Sequence, residues 1–148
     1  MRNKTRTAQE LANQVGTGDH AAFRRLYATF APDTLAAVQV SLPDFAHSMH
    51  VVRATFCEVW WMCAFDARCG SAPHDVPTWI AAIAHRRGYQ RRLALELTQA
   101  SIPPQRGATF WTELLAEHDR WTRFELATML DGHDNISLPT RHSTRKHV

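Results

Sequence analysis

The chain has 148 residues, 45% apolar and 21% charged, enough apolar side chain for one packed domain, which excludes a wholly disordered polypeptide. Its longest uninterrupted apolar run, Val59 to Phe65, is seven residues, against the about 20 that a membrane-spanning helix needs. The net charge is +3, and fifteen of the seventeen basic residues are arginine. The three cysteines, Cys57, Cys63 and Cys69, make no disulfide framework. With a polar stretch from Met1 to Asn13 that is no secretory signal, these features lead to the expectation of a cytoplasmic protein.

Strand signals are nearly absent, and helical spacing recurs, so the expected fold class is all-α, a helical bundle. Thr7 to Val15 reads as a short helix, broken by Gly16 and Gly18. Asp19 caps the next, whose Phe23, Leu26, Tyr27 and Phe30 share a face. Pro32 predicts a restart, with Leu35, Val38 and Leu42 as the following stripe. From Asp44 to Phe65 the period is strongest: Phe45, Met49, Val52, Phe56, Val59, Trp60 and Cys63 form a core stripe. Beside it His50, Arg53, Ala54, Cys57 and Trp61 form a second stripe, read as a surface for a partner, with burial of Trp61 under the C-terminal helix as the alternative. Asp66 to Val76 reads as a loop, and Pro77 opens a helix to about Leu97. That helix is apolar at Trp79, Ile80 and Ile83 and then basic at Arg86, Arg87, Arg91 and Arg92. Ile102 to Gly107 reads as a linker, and a last helix over Ala108 to Leu130 has Phe110, Leu114, Trp121 and Phe124 on one stripe. The expected organisation is a helical domain over 1–97, a linker and additional helix over 98–131, and a basic, disordered tail over 132–148.

Chemistry-bearing motifs are scarce. There is no Gly-rich phosphate loop, no Gly-x-Ser-x-Gly and no paired carboxylates with a base beside them, so no enzyme and no cofactor is expected. Nine histidines are scattered, with neither a CxxC nor an HxxxH pair, so no metal site is expected. Four arginines between His85 and Arg92, with basic clusters at both chain ends, make nucleic acid a candidate partner. The competing reading is a solvated helix end favoured by the macrodipole.

The order of three segments resembles region 2 of extracytoplasmic-function sigma factors. The segment from Leu11 to Pro32 carries the Gly18-Asp19 step, the Ala22-Phe23 pair and the Leu26-Tyr27 pair. Phe56 and Trp60 match a helix ending in Phe-x-x-x-Trp. Trp79, Ile80, Ile83, Ala84 and Arg87, closed by Arg91 and Arg92, are similar to the family's Trp-Leu-x-x-Ile-Ala-x-Asn-Arg stretch. The resemblance covers residues 8 to 95 and implies a helical bundle that docks on the β′ clamp helices of core RNA polymerase and recognises promoter −10 DNA. It implies DNA contacts at Arg86, Arg87, Arg91 and Arg92, and a partner-binding face at His50, Arg53, Cys57 and Trp61. Region 4 of the family has no counterpart here, so a minimal or split sigma factor is expected. One departure matters: Met49, His50, Arg53 and Ala54 stand where the family carries carboxylates and glutamine. A cation facing a basic clamp costs several kcal/mol. The departure opens an alternative, a degenerate sigma fold that binds an anti-sigma factor or another regulator without reading a promoter.

Overall fold

The computed structural model describes residues 2–69, 75–100 and 104–131, and among them every element is an α-helix. The order is α1 (Arg2–Gly16), α2 (His20–Gln39), α3 (Phe45–Cys69), α4 (Val76–Ala100) and α5 (Pro104–Asp131). The boundaries follow local chemistry. Gly18 adopts φ +90° after α1, a conformation that side chains disfavour. Its amide donates to the carbonyl of Val15 at 2.9 Å, closing the turn. Asp19 then accepts from the Ala22 amide at 3.0 Å as N-cap of α2. Asp44 does the same for α3, accepting from the His47 amide at 3.0 Å. Asp75 accepts from the Thr78 amide and hydroxyl at the start of α4, with Pro77 inside the first turn.

Three expectations about boundaries are corrected. Pro32 does not restart a helix; α2 runs through it. Pro32 and Ala28, whose carbonyl loses its donor, both lie on the exposed side, open to solvent, while Phe30, Thr34 and Val38 keep one buried face. The first residues of the loop expected from Asp66 are helical, because α3 continues to Cys69. The expected linker is partly helical, α5 starting at Pro104. The expected tail over 132–148 lies outside the described residues, as do Cys69's side chain and His74.

Helix α3 is the centre of the bundle. It touches each of the other four helices, and from Val51 to Val59 only Arg53 and Glu58 are not fully buried. A helix apolar on so many sides belongs in an interior. Its core stripe holds at Val52, Phe56, Val59 and Cys63, with Trp60 half-buried against it. Ring contacts lock this side: Trp60 stacks on His20 at 4.7 Å and meets Phe23 edge-on at 5.2 Å, and Tyr27 meets Phe56 edge-on at 5.0 Å. Phe45, expected in the stripe, is exposed because it precedes the covered turns.

Helix α5 belongs to this same core. Leu126 and Met129 sit in the main apolar cluster with residues of α1 to α4. The face it buries is not the expected one. Phe110 and Leu114 are exposed and Trp121 and Phe124 half-buried, while Thr122, Leu126 and Met129 face inward at helical spacing. The inward stripe contains polar residues with partners of their own, so apolar spacing alone points to the wrong side. Its last turn is tied to the start of α2: His20 Nδ1 lies 2.6 Å from the Met129 carbonyl, and Arg24 donates to the Leu130 carbonyl.

Phe56 has no exposed surface and lies where α2 and α3 meet. Truncation to alanine is expected to cost about 3–5 kcal/mol in urea denaturation. A loss below about 1 kcal/mol would mean that this face is not the core.

Candidate functional site

The chemistry-bearing residues gather where α3, α4 and α5 meet. Arg91, on α4, is 5% exposed. Its Nη2 donates to Asp119 Oδ2 of α5 at 2.7 Å, and its Nε donates to His47 Nδ1 of α3 at 3.2 Å. The other carboxylate oxygen, Asp119 Oδ1, lies 3.0 Å from His50 Nδ1 of α3. The His50 ring meets the His118 ring of α5 edge-on, with centroids 5.2 Å apart. One carboxylate thus stands between a buried guanidinium and a buried imidazole. Burial pushes the His50 pKa down, and the nearby Arg91 and Arg53 charges add to that. Asp119 pulls the other way. Burial prevails because the Asp119 charge is already engaged by Arg91, and His50 is neutral at neutral pH.

Further along α3, two more side chains meet α5. Cys57 Sγ lies 3.9 Å from the Thr122 carbonyl, as a weak donor. Trp61 Nε1 donates to Glu125 Oε2 at 3.0 Å. His50, Cys57 and Trp61 therefore contact Asp119, Thr122 and Glu125 in order, so the two helices run in the same direction. The residues predicted as a partner face are here a face for α5. His50 and Cys57 are 5% and 6% exposed, and only Trp61, 55% exposed, keeps an outward surface. Arg53 is half-buried, its charge bearing on the Tyr27 hydroxyl.

Three of the four arginines of α4 have acidic partners within the chain. Arg86 and Arg87 both reach Glu58 of α3, Arg87 Nε at 2.8 Å from Oε1. Arg91 is inside the bundle. A guanidinium that is buried and bonded to a carboxylate is not presented to a phosphate. Among the described residues, Arg92 alone of the four turns outward without an acidic partner, its guanidinium 5.9 Å from the centroid of the half-exposed Tyr89 ring.

Tyr89 and Arg92 border a second feature, a groove of about 920 Å³ between α2 and α4. Phe30, Val38, Ile80 and Ala84 give it an apolar floor, and Asp33, Asp75 and His85 contribute to its polar lining. Two carboxylates beside one arginine suit an amphipathic peptide better than a polyanion.

Sequence reasoning missed Glu58, His118, Asp119, Thr122 and Glu125. The last three recur every third residue, a polar helical stripe that apolar counting passes over. His47 and His50, three apart on α3, were the readable trace of a polar face there. Compared with family models, curated proteins and solved structures, the chain gives no match, so the reading of the site rests on its own residues.

Two expectations follow for solution. Arg91→Ala leaves Asp119 and His47 without their donor and should cost about 3–5 kcal/mol in denaturant unfolding. Arg86→Ala, removing a half-exposed side chain, should cost less than about 1 kcal/mol. Equal effects would show that Arg91 is not an internal strut. Burial also raises the Cys57 thiol pKa and pushes that of Cys63 up to about 12, so both stay protonated at pH 8. Iodoacetamide labelling followed by peptide mapping should be roughly 100-fold slower at these two cysteines in the native chain than in urea.

Proposed function

We propose that this chain is a sigma-region-2-like regulator of transcription that works through protein contact, with α5 seated on the face by which the resembling family docks on core RNA polymerase. The observation that carries this reading is the meeting of His50, Cys57 and Trp61 with Asp119, Thr122 and Glu125. It also supplies a reason for the residue changes on that face. A surface that meets a basic clamp needs carboxylates, whereas a surface that meets Asp119 and Glu125 needs neutral or basic donors. Polymerase and α5 then compete for one surface, and loosening α5 strengthens docking by raising the population of the open form.

The rung nearest solvent gives the test. Removing the Trp61–Glu125 bond with Glu125→Ala weakens α5 docking by about 1 kcal/mol. It should tighten binding to core polymerase about fivefold in a titration. Trp61→Ala removes the same bond together with the exposed aromatic and should weaken binding instead. Identical behaviour of the two variants would overturn competition between α5 and polymerase.

A second reading, a protein-binding module that never reads a promoter, draws support from the engagement of Arg86, Arg87 and Arg91 with Glu58 and Asp119. Fluorescence anisotropy with forked promoter DNA separates the two readings. No DNA binding at low salt, and no polymerase binding by the chain or by Glu125→Ala, would select the module.

A further inference from the structure

We propose that His50, His118 and Asp119 form a binding site for a divalent transition-metal ion of the zinc class, bridging α3 and α5. One donor atom from each of the three residues lies within 4.8 Å of the others. The strongest sign is between His50 and Asp119. Nδ1 of the imidazole and Oδ1 of the carboxylate stand 3.0 Å apart, both enclosed, and neither has a hydrogen-bond partner in proper geometry. His50 is 5% exposed, so no bulk water solvates that nitrogen. An imidazole nitrogen and a carboxylate oxygen this close in an enclosed space offer two ligand atoms to one cation. Donors on one tetrahedral zinc ion, with bonds near 2.0–2.1 Å, lie about 3.3 Å apart, close to the 3.0 Å between His50 Nδ1 and Asp119 Oδ1.

The surroundings match what ligands require. Arg91 holds Asp119 through Oδ2 at 2.7 Å, which orients the carboxylate and leaves Oδ1 for the ion. His47 in turn accepts from Arg91, so the orienting group is itself held. His118 is exposed, so one side of the site opens to solvent and a water completes the coordination. Two ring nitrogens and one carboxylate suit zinc, cobalt or nickel. Calcium and magnesium prefer sets made of oxygen alone. The ion would cross-link α3 to α5, and the proposal stands whatever macromolecule the chain serves.

The test uses the full chain after chelator treatment, titrated with Co²⁺ alone as a spectroscopic stand-in for Zn²⁺. Binding of one equivalent, with the intense visible absorption of tetrahedral cobalt, is expected, and Zn²⁺ should displace it. His118→Ala removes an exposed side chain and keeps the bundle, as circular dichroism would verify. It should weaken binding about tenfold or more, while His85→Ala, at an exposed histidine on α4, leaves it unchanged. Absence of the absorption, or equal binding by wild type and His118→Ala, would overturn the site.

Discussion

The ion pair between Arg91 and Asp119 is the constraint on which the arrangement of α3, α4 and α5 depends. A guanidinium that is 5% exposed demands a carboxylate, and Asp119 is the carboxylate it receives. With Asp119 directed at Arg91, the rotation of α5 about its axis is set. Thr122, Leu126 and Met129 then face inward, and Phe110 and Leu114 face out. A buried pair of this kind adds little net stability over an apolar substitute, yet removing one partner is costly. Here it selects which face of α5 is buried, a choice that the helix's scattered apolar residues leave open.

Helix α3 feels the consequence most. A central helix must offer something to every neighbour, and the two stripes on α3 do so differently. Toward α1 and α2 it presents Val52, Phe56 and Val59, a surface that packs by shape. Toward α4 and α5 it presents Glu58, His47, His50 and Cys57, a surface that packs by polar contacts. The apolar side is tolerant, and the polar side is specific. The exposed Trp61, at the end of the polar side, is where this internal interface reaches the surface.

How much of this was legible follows from the same division. The all-helical fold, the centrality of α3 and the burial of Phe23, Phe56 and Ile80 were readable, because apolar residues spaced by three and four have one economical explanation. Pro32 misled because its effect depends on which way the affected carbonyl faces, which spacing does not encode. The arginines of α4 misled for another reason. A basic run looks the same whether its partners are phosphates or carboxylates elsewhere in the chain, and here Glu58 and Asp119 are 28 residues from their arginines in either direction. The metal-ligating set was invisible because His50 and His118 are brought together only by the docking of α5.

The ties between the start of α2 and the end of α5 set an order of assembly. His20 and Arg24 bond to carbonyls 109 and 106 residues further along the chain. Loops of that length close at an entropic cost that grows with their length, and contacts across them form late. Helices α1 to α4 have shorter paths to one another and collapse around α3 first. Helix α5, last in the chain, completes the core with Leu126 and Met129. During synthesis, therefore, the polar side of α3 is made before the helix that covers it, and for that interval the nascent chain displays a surface that the finished protein conceals.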